Sequence, residues 1–196
     1  MGSRIRFTKA KQVFETYPEL SEKVALPTAD PTPQEYAQSL LQGTEPTSSL
    51  TFFAHALPKR EAVWWGTKCV TGLDDKRSAE DEAVLELVEN WVREGDEEAR
   101  VAVHNAVEDM NGNSPSLWIG RAASWSGGSL SPNPDYRVDM PPHLTAVGVN
   151  VAMQVAIGSL GPKARTDALE TCISAGLSFA EGGVMPVVHV KGQDVT

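Results

Sequence analysis

The chain has 196 residues, 41% of them hydrophobic, and a formal net charge of −9. That is enough apolar material for one domain or two closely packed halves. The acidic balance argues against nucleic acid or an anionic membrane surface as the main partner. The charge is also uneven. Residues 74–98 hold eleven acids against Lys76, Arg77 and Arg93, a local charge of −8, whereas Arg4, Arg6, Lys9 and Lys11 make the start basic. Such an acidic stretch forms either a solvated face or a docking surface for a basic partner.

From the N-terminus, Ala10, Val13, Phe14 and Tyr17 mark one side of a short helix that Pro18 stops. A proline-punctuated link follows. Thr32-Pro33-Gln34-Glu35 is a capping box with proline at the first helical position, so a helix is expected from Pro33 to about Gln42, ended by Gly43. Ser48 or Ser49 can cap a further turn or two carrying Phe52, Phe53 and Leu57. Pro58 then suits the first turn of a longer helix in which Ala62, Trp65, Cys69 and Leu73 recur at spacings of three and four. Trp64 lies about 100° round from Trp65, at the border of that stripe. Two adjacent indoles on a helix are either core packing or the aromatic wall of a groove.

Beyond Gly72 the pattern stays helical. Ser78 caps a helix with a Val84, Leu87, Val88, Trp91, Val92 stripe, and Gly95 ends it. Asp96 caps the next, with Ala99, Val103, Ala106, Val107 and Met110 inward and Glu97 and Glu98 at its positive end. Ser114-Pro115 opens another with Leu117, Trp118, Ala122 and Trp125, stopped by Gly127-Gly128. Ser131 to Pro142 holds four prolines and reads as a surface crossing or a boundary between halves. His143 to Ser159 is apolar nearly all round, as a central helix would be. It is too short and too polar to read as a membrane span. Gly161-Pro162 leads into a last helix, Lys163 to Ala180, and the tail VMPVVHV suits a short extended segment.

These elements predict an all-α fold: a compact multi-helix bundle of about seven or eight helices arranged as helix-turn-helix pairs. A single domain over 1–196 is expected, with a two-lobed division, if any, in the 127–142 loop.

No reaction chemistry is written in the chain. His55, His104, His143 and His189 are scattered, and Cys69 and Cys172 fit no metal or redox spacing. Nucleotide-binding glycine loops, zinc-protease motifs and nucleophile elbows are all missing. Neither a catalytic residue, a metal nor a cofactor is therefore expected. Ser126-Gly127-Gly128-Ser129 could form a small anion-binding nest, although helix termination explains the same glycines. The chain reads better as an interaction protein. Its candidate surface combines Trp64, Trp65 and Arg60 with Trp118, Trp125, Gly127, Gly128 and Tyr136, where an exposed indole would anchor a protein partner. With no signal core at its start and two unpaired cysteines, it is expected in the cytoplasm.

The segments FFAHALPKREAVWW and SPSLWIGRAASWSGGSLSP, with the following PPHLTAVGVNVAMQVAI, carry a resemblance. The chain is similar to a bacterial domain-of-unknown-function family sharing an A-L-P-x-R-E-A-V-W-W core and a later W-x-G-G-S element. Pro58, Arg60, Glu61, Trp64 and Trp65 match the first motif; Trp125, Gly127, Gly128 and Ser129 match the second. Genes of that family often lie near type VI secretion genes. The resemblance implies a cytoplasmic adaptor or chaperone for a secretion effector or spike component. The alternatives are an immunity or regulatory protein that neutralises a toxin, its acidic 74–98 face covering a basic active site, and an enzyme without a recognisable motif.

Overall fold

The computed structural model describes residues 2–129 and 135–190. Their secondary structure is α-helical: α1 (Ala10–Thr16), α2 (Pro33–Leu41), α3 (Ser48–Ala56), α4 (Lys59–Leu73), α5 (Ala79–Glu94), α6 (Glu97–Glu108), α7 (Pro115–Ser124), α8 (Leu144–Gly158) and α9 (Pro162–Ala180). A 3-10 segment, Pro18–Glu22, follows α1. Among the described residues nine α-helices thus stand where seven or eight were expected, and the all-α bundle holds.

The caps explain why the boundaries fall so close to expectation. Thr32 Oγ1 accepts from the Glu35 N–H at 3.2 Å while Glu35 accepts from the Thr32 N–H at 2.8 Å. Ser78 and Asp81 close the same box on α5, and Asp96 and Ser114 each accept an N–H from their third helical residue. Gly95 ends α5 at φ 72°, the left-handed conformation that favours glycine. Asp81 departs from the expectation that it lies on an exposed acid face: it is buried. Its second oxygen accepts from the Ser114 hydroxyl at 2.5 Å, so one carboxylate joins the starts of α5 and α7. Burial would raise its pKa, but the hydrogen bonds from Ser114 and Ser78 outweigh it and hold the carboxyl below its ordinary value.

α4 and α8 form the centre. α8 packs against α3, α4, α7 and α9, which is why its sequence is apolar nearly all round. α5, α6 and α7 pack on one another beside α4, while α1, α2, α3 and α9 gather on the other side. Small residues let the central helices close: a Cβ on Gly148 of α8 would lie 2.9 Å from the Ala122 Cβ of α7. These two helices, which flank the 127–142 loop, pack directly on each other. Part of that loop, 130–134, lies outside the described residues. α5 buries Leu85 along with Val84, Val88 and Trp91, a wider stripe than expected, because it meets α4, α6 and α7 together.

α3 differs most from its sequence reading. It is a full helix of nine residues, with Ser49 to Ala56 all buried. Surrounded by α1, α2, α8 and α9, it has no solvent face and so no amphipathic period. The extended tail crosses α4 at Gly72, where the Val188 N–H donates to the Lys68 carbonyl at 3.2 Å. At the other end, the Arg4 N–H donates to the Ala180 carbonyl at 2.7 Å and its guanidinium stacks on Phe179. Among the described residues no helix is long and apolar enough to cross a membrane.

His55 on α3 is 3% exposed, and its Nδ1 lies 2.7 Å from the Thr51 carbonyl. Burial pulls its pKa below 6.5, outweighing the Thr51 carbonyl and Glu19, which raise it. The unfolded chain therefore takes up this proton first. Stability is complete above the unfolded pKa and declines as the pH drops below it towards the folded one. The urea midpoint is expected to fall from about pH 7.5 to about pH 5.5, with a shallower fall in His55→Gln.

Candidate protein-binding surface

The eight residues of the expected surface separate into a buried one and two patches. Trp65 is fully buried, with its edge against the Phe53 ring (centroids 5.1 Å apart, planes at 84°) and its Nε1 donating to the Cys172 carbonyl at 2.9 Å. It holds α3, α4 and α9 together and cannot meet a partner. That corrects its place in the expected surface. The physical reason is its position in the middle of the apolar stripe of α4, with Trp64 at the border.

Trp64 is half-buried in the first patch. Lys68 Nζ sits 4.2 Å from its ring centroid and is itself held by Glu89 at 2.8 Å. Arg60 is exposed and reaches across to the α5–α6 turn, where any side chain at Gly95 would meet its Nη1 at 2.5 Å. Arg60, Trp64, Arg4 and Phe179 line a shallow cleft of about 150 Å³.

The second patch follows α7. Trp118 and Trp125 are half-buried and meet edge to face, their centroids 6.3 Å apart at 71°. The Arg121 guanidinium lies 4.9 Å from the Trp118 ring, and Trp118 Nε1 donates to Asn113 Oδ1 at 2.6 Å. The chain is pinned on either side of Trp125. Lys59 Nζ donates to the Ser126 carbonyl at 3.0 Å, which ties the start of α4 to this loop. Arg100 of α6 donates to the Ser124 carbonyl at 2.7 Å and to both Glu97 oxygens at 2.8 and 2.6 Å. A Cβ on Gly128 (φ 84°) would lie 2.7 Å from Arg100 Nη2, so the glycines let the loop close on the guanidinium. The space an anion nest would need beside Gly128 is taken by that cation.

Residues 135–139 return beside Ser129 as an arm. Ser129 and Asp139 form an antiparallel bridge, and Ser129 Oγ accepts from the Val138 N–H at 3.0 Å. Tyr136 is 72% exposed and Val138 50%, while Arg137 pairs with Asp139 at 2.7 Å. The Glu97 carboxyl is held below its ordinary pKa first by the Arg100 hydrogen bonds and also by the nearby Arg137 charge, which sets the arm beside the acidic start of α6.

Sequence reading missed Arg100 and Val138. Arg100 stands next to Ala99 on the inward stripe of α6, and a charged residue within a buried stripe is a signal that it has a partner. Lys59–Ser126 is the described link between the two patches; no ring contact joins Trp64 to Trp118 or Trp125 among the described residues. Nor do three His, Cys, Asp or Glu side chains converge there in an arrangement that could hold a metal.

The described residues form a helical bundle with a pair of half-buried indoles, Trp118 and Trp125, at the end of α7 and an exposed Tyr136 beyond it in the chain. The chain belongs to a family of unknown function, DUF6931, whose profile matches residues 36–180, from within α2 to the end of α9. No curated protein and no solved structure matches it.

Proposed function

We propose that this protein is a non-enzymatic accessory protein that binds another protein through the Trp118–Trp125–Tyr136 edge. The observation that carries this reading is the arm. Tyr136 and Val138 stand exposed on a segment tied to Ser129, at the end of the stretch that Arg100 and Lys59 hold on either side of the half-buried Trp125. Pre-placed aromatic groups of this kind make strong anchors because little side-chain freedom is lost on binding. The acidic first turn of α6 lies near through Glu97, so the fitting partner presents an apolar anchor flanked by basic residues. With the resemblance to a family found near type VI secretion genes, the partner is a secretion effector or spike component, and the role that of adaptor or chaperone. The acidic surface of α5 and α6 favours a second reading, an immunity or regulatory protein that caps a basic toxin site; its mark would be rescue of cells by this chain alone.

The test is calorimetric titration against type VI secretion effector and spike proteins. Trp125→Ala with Tyr136→Ala is expected to weaken binding at least about tenfold, roughly 1.4 kcal/mol, with the circular dichroism spectrum unchanged. Trp64→Ala, on the separate patch, should have little effect. A folded double variant that binds as tightly as the parent would remove the basis of the proposal.

A further inference from the structure

Away from the arm, a cavity of about 280 Å³ opens between the Pro18–Glu22 segment, α3 and the start of α8. At about 30 Å³ per water it has room for more than a few solvent molecules. Its polar groups come from three separate parts of the chain, and several lack partners. His55 is 3% exposed; its Nδ1 must donate to the Thr51 carbonyl, so in the neutral ring Nε2 carries a lone pair, and that atom has no partner among the described residues. Asn150 is 8% exposed. Its Oδ1 accepts from Thr51 Oγ1 and from Gln154 Nε2, both at 3.2 Å, which leaves its amide Nδ2 protons to the cavity. Glu19 Oε1 is buried 3.0 Å from His143 Nδ1, yet no donor is aligned with it for a hydrogen bond. The His55 lone pair and the Glu19 carboxylate, both on lining residues, call for an N–H donor, and the free Asn150 amide calls for an acceptor.

The charges agree. Glu19 and Glu22 face the cavity with Lys23 the one permanently charged base among the lining residues. A metal ion fits less well, because no three His, Cys, Asp or Glu side chains among the described residues converge in ligating geometry.

We propose that this cavity binds a small primary amine that also carries a hydroxyl or carbonyl group, its ammonium donating to the Glu19 carboxylate and His55 Nε2 and its oxygen accepting from Asn150 Nδ2. The ammonium supplies the donors that the two acceptors lack and offsets the acidic lining. The amide fixes the other end, so a simple alkylamine should bind less well.

Titration of ¹⁵N-labelled protein with ethanolamine tests this, with N-acetylethanolamine as the partner that keeps the hydroxyl and loses the charge. Ethanolamine is expected to give saturable shifts of the His55 ring nitrogens and the Asn150 side-chain amide, and N-acetylethanolamine none. Glu19→Gln, a partly exposed position, should keep the thermal midpoint and weaken ethanolamine at least about tenfold. Absence of shifts at about 10 mM ethanolamine would overturn the proposal. So would equal shifts with the acetylated compound, or an unchanged affinity in Glu19→Gln. A tighter saturable response to zinc chloride alone would overturn it too, in favour of a metal site.

Discussion

Trp65→Ala is expected to lower the free energy of unfolding by about 3–5 kcal/mol, whereas Trp64→Ala, one residue away, should cost no more than about 1 kcal/mol. Urea denaturation of the two variants measures both. Trp65 fills a slot that nothing else can fill. A Cβ on Gly176 of α9 would lie 2.5 Å from the Phe53 ring and 2.7 Å from Trp65 Nε1, so that glycine exists to admit the indole. Removing the indole leaves a void bounded by α3, α4 and α9, helices whose backbones are already close. It also removes the hydrogen bond to the Cys172 carbonyl. Trp64 instead loses one partly exposed face and the Lys68 cation above it, and water can enter its place. A Trp65→Ala variant as stable as Trp64→Ala would mean that the α3–α4–α9 seam is not the core described.

The same pair of residues shows how far a sequence can be read. The stripe Ala62, Trp65, Cys69, Leu73 put Trp65 in the middle and Trp64 on the border, and all four stripe residues are buried while Trp64 is half-buried. Helix ends were legible for a local reason: Thr32, Ser78, Asp96 and Ser114 each satisfy N–H groups within three residues of themselves. What stayed illegible depends on contacts between distant parts of the chain. α3 hides its helicity because neighbours surround it. His55, His143 and Glu19 look unrelated along the chain, yet the packing of α3 on α8 and the 3-10 turn brings them to one cavity. Asp81 looks like one more surface acid until Ser114, 33 residues on, donates to it. Of the candidate surface, Trp118 and Trp125 do meet edge to face and Tyr136 is exposed, as their residue types and places in the chain suggested. The support of that surface was not legible, because the residue that holds it, Arg100, belongs to another helix.

Arg100→Leu is expected to destabilise the protein by about 2–3 kcal/mol and to loosen the loop that carries the arm. Most of that cost lies with the Ser124 carbonyl, which loses a charged donor at a buried position. The pair with Glu97 adds little, because the Glu97 side chain is 66% exposed and solvent screens it. Leucine replaces the apolar stem of arginine but cannot reach the carbonyl, and it leaves a gap under Gly128, where the guanidinium now lies. Amide exchange should therefore quicken at Trp125, Ser126 and Val138, whose N–H groups are hydrogen-bonded, while the amides of α8 and α9 keep their protection relative to the new global stability. The comparison with Tyr136→Ala separates holding from touching. Tyr136, at 72% exposure, can be removed with little change in stability, so its loss should act on partner affinity alone. Arg100→Leu should lower stability and affinity together, because a loosened arm must be ordered again each time a partner binds. If Arg100→Leu lowered stability but left exchange at Trp125, Ser126 and Val138 unchanged, the Lys59–Ser126 contact would be the tie that holds the arm.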